Sequence, residues 1–149
     1  MRKLLAVCAC ALALSTPSLA QAQTGWSYAY LDGVATATER DDRGRVVATL
    51  TCRPPTGDIV LTDFTLVRAA RRATTSSVRI GALSVTVPSR LEGRGRNRGL
   101  AINLPQRPPI LAAVQPNDQL SVTVNNQTRT FSSGGPAKMR EVAYACWGS

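Results

Sequence analysis

The stretch WSYAYLDGVATATERDDRGRVVATLTC, Trp26 to Cys52, decides the fold class. Trp26 to Leu31 alternates around Tyr28 and Tyr30, and Val34 to Glu39 continues the alternation. Asp32-Gly33 stands between them. An Asp-Gly pair flanked by alternating runs is a hairpin signal, because both residues of the favoured two-residue turn need positive φ. Asp41-Asp42-Arg43-Gly44 predicts a second turn. Arg45 to Cys52 alternates again, with Val46, Ala48, Leu50 and Cys52 in one phase. A period of two across two turns is the pattern of a three-stranded antiparallel meander.

The same reading extends outward. Arg53-Pro54-Pro55-Thr56-Gly57 breaks the chain. Asp58 to Val67 reads as a fourth strand, with Val60, Phe64 and Leu66 in phase. Ser77 to Val87 reads as a fifth, and a slip of apolar phase at Gly81 predicts a bulge there. Leu100, Ile102 and Leu104 mark a sixth strand, and Leu120, Val122 and Val124 a seventh. Asn125-Asn126 turns it into an eighth at Thr128 to Phe131. Pro108-Pro109 before Ile110, Leu111 and Val114 predicts a short helix near 109–115. Gly134-Gly135-Pro136 opens a C-terminal helix near 136–146, where Met139, Val142, Ala143 and Cys146 fall at helical spacing. The expected fold is mainly β: an antiparallel sandwich or barrel-like domain with two helical pieces.

The N-terminus reads as an export signal. Arg2 and Lys3 are followed by an unbroken apolar run of 11 residues from Leu4 to Leu14. Thr16-Pro17-Ser18 ends the run, and Ser18-Leu19-Ala20 and Ala20-Gln21-Ala22 offer small-x-small cleavage sites. This is the three-part layout of a secretory signal peptide. Cleavage after Ala20 or Ala22 is expected, with 1–22 as the signal and 23–149 as one β-rich domain in the periplasm or secreted. Cys8 and Cys10 leave with the signal, so Cys52 and Cys146 remain. In an oxidising compartment two cysteines most simply pair. Both lie in the inward phase of their elements, which supports a Cys52–Cys146 disulfide. No stretch reaches the roughly 20 apolar residues of a transmembrane helix, so an integral membrane protein is not expected.

The charge balance narrows the function. The 149-residue chain carries 18 Lys and Arg against nine Asp and Glu, and no His. Without Arg2 and Lys3 the remaining 16 bases against nine acids leave a net charge near +7. The bases cluster at Arg68, Arg71 and Arg72, and again at Arg90, Arg94, Arg96 and Arg98 within Ser89 to Gly99. Alternating Gly and Arg reads as a mobile loop whose guanidinium groups could grip phosphates in a fork geometry. These seven arginines are the candidate site for an anionic partner. The solvated-loop reading stands beside it, because arginine also serves simply to keep loops in water. Aromatics that would stack on bases are missing from the segment, so nucleic acid is not favoured.

No catalytic residue is assigned. Without histidine there is no Ser-His or Cys-His pair and no imidazole metal ligand. Lys138 is not three residues after a Ser. No metal or other cofactor is expected. The reading is a non-catalytic exported envelope protein that binds an anionic component or a protein partner, the latter meeting a sheet edge. An inhibitor of an acidic periplasmic enzyme and a hydrolase using two carboxylates brought together by the fold are the alternatives. Trp26, Tyr28, Tyr30, Tyr144 and Trp147 are expected to pack around the disulfide.

The C-terminal third adds a resemblance. Ile110 to Cys146, ILAAVQPNDQLSVTVNNQTRTFSSGGPAKMREVAYAC, resembles small bacterial periplasmic proteins related to the invasion-associated locus B family. The shared pattern is a short helix, a strand of L-x-V-x-V type, a Thr/Phe strand, a Gly, and a helix ending in Cys. Ala35 to Cys52 has a similar look. The resemblance implies a small β-rich periplasmic domain and carries over no catalytic residue.

Overall fold

A computed structural model describes residues 24–52, 57–104 and 114–147. The expected signal sequence lies outside these residues, and so does most of the helix expected near 109–115. Val114 and Gln115 are described and are not helical.

The meander forms as the sequence predicts: β1 (Gly25–Leu31), β2 (Val34–Arg40) and β3 (Val46–Cys52) pair antiparallel in order. Asp32 and Gly33 take φ of 52° and 74°, the two positive values of a type I′ turn. The remaining strands are β4 (Ile59–Asp63), β5 (Thr75–Ile80), β6 (Leu83–Glu92), β7 (Gly99–Leu104), β8 (Leu120–Val124) and β9 (Gln127–Thr130). All nine join one antiparallel sheet in the order β1-β2-β3-β4-β7-β6-β5-β8-β9. The fold is thus a single curled half-barrel, closed by one C-terminal helix, α1 (Gly135–Trp147).

The curl comes from β6. Its first half, Leu83 to Pro88, pairs with β5, and its second half, Ser89 to Glu92, pairs with β7. The change of partner falls at Pro88, which has no N–H to give a ladder. The buried hydroxyls Ser76 and Ser89 bond to each other across this bend at 2.8 Å.

Two expectations are corrected here. The phase slip at Gly81 is a turn, not a bulge: Ile80 pairs with Leu83 around Gly81-Ala82, with φ +57° at Gly81. A strand reversal and a bulge both invert apolar phase, which is why the sequence left them alike. In β4 the buried residues are Ile59, Leu61 and Asp63, the opposite phase from the one expected. Leu66 is buried too, but from the connection that follows the strand. Asp63 could take an inward position because four donors satisfy its carboxylate.

The core lies on the concave face. Directly opposed residues there form rows across the sheet, such as Tyr28, Ala37, Leu50, Leu61 and Ile102. Ala35, Ala37 and Ala48 keep this face low over β2 and β3. Their short side chains make room for α1, which lies on β1 to β4 and buries Met139, Val142 and Cys146. Cys146 bonds to Cys52 with the Cα atoms 5.9 Å apart, an ordinary span for a disulfide.

Candidate functional site

In an antiparallel meander every second connection returns to the same rim of the sheet. The β2–β3 turn, the β4–β5 connection and the β6–β7 hairpin therefore leave one rim, and the order β2-β3-β4-β7-β6 sets them side by side. Arg68, Arg71 and Arg72 lie in the second of these, and Arg94, Arg96 and Arg98 in the third. Arg90 precedes the third on β6. All seven are exposed. The two clusters that the sequence left separate thus share a rim.

The β6–β7 segment is not the loose loop its composition suggested. Leu91 pairs with Leu100 and Glu92 with Gly99, and Gly95–Asn97 forms a 3-10 turn between them. Gly93 sits at φ +77°, and a Cβ there would collide with the Asn97 carbonyl oxygen. Here glycine is a requirement of a tight hairpin. Arg90 is partly neutralised, its Nη2 lying 2.5 Å from Glu92 Oε1.

The first loop of the rim adds arginines outside those two clusters. Arg40 and Arg43 are exposed there beside Arg45. Arg40 Nη1 donates to Gly44 O at 2.9 Å. Asp41 organises the turn by accepting from the backbone N–H groups of Arg43 and Arg45 at 3.0 and 2.9 Å. The side-chain hydrogen bond from Arg45 holds the Asp41 carboxyl below its ordinary value of 3.8. The signal for this loop was the meander itself, which implies a shared rim once the strands are placed.

Beneath the rim lies a charge cluster that the sequence did not announce. Arg129 on β9 reaches across the concave face to Glu39 on β2, Asp63 on β4 and the Val47 carbonyl on β3. Its Nη2 is 2.5 Å from Glu39 Oε2 and its Nη1 donates to Asp63 Oδ2 and to Val47 O. Its guanidinium also stacks over Phe131, 4.4 Å from the ring centroid. Glu39 Oε1 accepts the Ser132 N–H at 2.7 Å, and Asp63 Oδ1 accepts Thr65 N, Thr65 Oγ1 and Leu66 N. Both carboxylates are buried. An open groove of about 680 Å³ runs past Trp26, Glu39, Arg129 and Ser132. The fold does bring two carboxylates together, as the hydrolase alternative required. Each of their four oxygens accepts a bond from the protein, which is the environment of a structural tie between the two ends of the sheet. The legible signal was phase: Glu39 alternates with Ala35 and Ala37 on β2.

The aromatics do not gather at the disulfide. Trp26 packs on Phe131, ring centroids 6.0 Å apart, and against the start of α1. Among the described residues its buried Nε1 has no hydrogen-bond partner, and a Cβ on Gly135 would lie 3.0 Å from it. Trp147 is the one nearest the expectation, donating from Nε1 to Gly57 O at 2.9 Å. Tyr30 and Tyr144 stand exposed at 56% and 67%.

Among the described residues no group of three or more His, Cys, Asp or Glu could hold a metal ion, and no helix is long and apolar enough to cross a membrane. No family model matches the chain, and neither a curated protein nor a solved structure does.

Proposed function

We propose that this is a non-catalytic exported envelope protein whose arginine-bearing rim binds an anionic component of the envelope. The observation that carries the reading is the shared rim: three neighbouring loops present exposed arginines from one continuous sheet. Guanidinium groups on fixed turns give up less freedom on meeting phosphate or carboxylate than the same groups on a slack loop. Export rests on the basic start, the apolar run and the small-x-small sites of the first 22 residues. The Cys52–Cys146 bridge fits the same compartment, because disulfides persist where the surroundings oxidise. The resemblance to the invasion-associated locus B family supports a periplasmic setting as well.

The test is co-sedimentation with phosphatidylglycerol vesicles, with phosphatidylcholine vesicles as control. Binding to the anionic vesicles alone is expected at low salt, with a steep loss towards physiological salt, where the Debye length is about 8 Å. Replacing Arg94, Arg96 and Arg98 with Ser removes three charges at about 1 kcal/mol each near an anionic surface, so binding weakens roughly a hundredfold. Unchanged binding by the triple variant, or no binding by the parent at low salt, contradicts the reading.

A further inference from the structure

The two edges of the sheet are built differently. β9 is four residues long and carries the inward-pointing Arg129, and short strands and inward charges both discourage edge-to-edge pairing. β1 is seven residues long, GWSYAYL, with no charge and no proline. Among the described residues it pairs with β2 alone.

The turn fixes which backbone groups of β1 are free. Leu31 and Val34 close the two-residue Asp32-Gly33 turn. In a type I′ hairpin that closing pair is hydrogen-bonded, and bonded and non-bonded pairs alternate from there. Leu31, Ala29 and Ser27 thus direct their N–H and C=O groups to β2. Tyr30 and Tyr28 direct theirs outward. Their side chains lie on the concave face, opposite Ala35 and Ala37. The outer half of the strand is open: Ala29, Tyr30 and Leu31 are exposed, Leu31 at 71%. The Gly25 end is flanked by Ser132, whose Oγ lies 3.9 Å from where a Gly25 Cβ would stand.

We infer that β1 is a homodimerisation edge, pairing antiparallel with β1 of a second copy about a two-fold axis at Ala29. This register runs the ladder from Ser27 to Leu31, clear of the flanked Gly25 end. It sets Tyr28 opposite Tyr30 of the second copy in both hydrogen-bonded pairs, where aromatic cross-strand neighbours are favourable. Ala29 faces Ala29 of the second copy in the closer, non-bonded pair, and two methyl groups fit that spacing. Charge distribution selects a second copy over an unrelated acidic strand. β1 offers no charge to attract one, and antiparallel pairing sends the two basic rims to opposite ends, so two strongly basic chains can meet without facing their arginines. The ladder is short, so the dimer is weak and concentration-dependent.

Sedimentation velocity on the purified protein is expected to show a rise from single-chain to doubled mass across the micromolar range. Tyr30→Lys, which puts a charge on the open edge, is expected to stay at single-chain mass. Ala29→Cys, oxidised without reductant, is expected to give a covalent dimer much faster than Asp42→Cys on the distant rim. A parent that keeps single-chain mass throughout overturns the proposal, as does a dimer that Tyr30→Lys leaves intact. If Tyr30→Lys does not fold, the cysteine comparison decides: equal crosslinking at positions 29 and 42 overturns the two-fold register.

Discussion

Replacing Arg129 with Met is expected to destabilise the fold by about 3–5 kcal/mol, the range for removing one partner of a buried ion pair. The size follows from what stays behind. Glu39 and Asp63 are 4% and 0% exposed, and both lose the guanidinium that compensates their charge. The substitution preserves an unbranched apolar stem, so lost packing contributes little. Arg129→Lys keeps the charge but cannot span Glu39 Oε2, Asp63 Oδ2 and Val47 O with one ammonium, so an intermediate loss is expected. Urea midpoints at unchanged slope would report both losses. A loss for Arg129→Met within about 1 kcal/mol, the value of an exposed pair, would mean that the cluster does not tie the sheet together.

Breaking the Cys52–Cys146 bridge is the second large effect. The bonded residues are 94 apart in sequence, and loop-entropy estimates put such a closure at about 4–5 kcal/mol. The bridge pins the last turn of α1 to β3. The Cys52→Ser, Cys146→Ser double variant is expected to unfold at a much lower urea concentration than the parent. Alkylation of the unreduced parent in denaturant should label neither cysteine, and labelling of both would contradict the bridge. The bridge and the Arg129 cluster hold different ends of the same strands. Ala35 pairs with Cys52 and Glu39 with Ala48, so the two sites lie four residues apart along β2, or about 13 Å. At that distance their effects are expected to add. A domain stable by about 5–15 kcal/mol would then have little left without both.

The parts of the fold that local chemistry dictates were legible. Asp32-Gly33 and Asn125-Asn126 turned where their tolerance for positive φ allowed it, and the inward phase of Cys52 and Cys146 foretold their pairing. What failed to show was set by partners distant in sequence. The inward phase of β4 depends on donors that reach Asp63 from β9 and from its own following turn. The Arg129 cluster joins residues 66 and 90 positions apart, and no spacing rule reaches across that interval. The basic clusters were visible as composition, but their common rim became visible only through strand order. Gly93 and Gly95 read as slack and serve instead to close a hairpin.

The proposed function requires the anionic partner to meet the arginine rim. Amide chemical-shift mapping of the protein titrated with phosphatidylglycerol bicelles shows where that contact falls. Shifts are expected to gather in residues 41–45, 64–74 and 93–98 and to reverse with salt, with the Asp32-Gly33 and Gly81-Ala82 turns of the opposite rim unmoved. Shifts centred on that opposite rim or on α1, or shifts that persist in high salt, would contradict it.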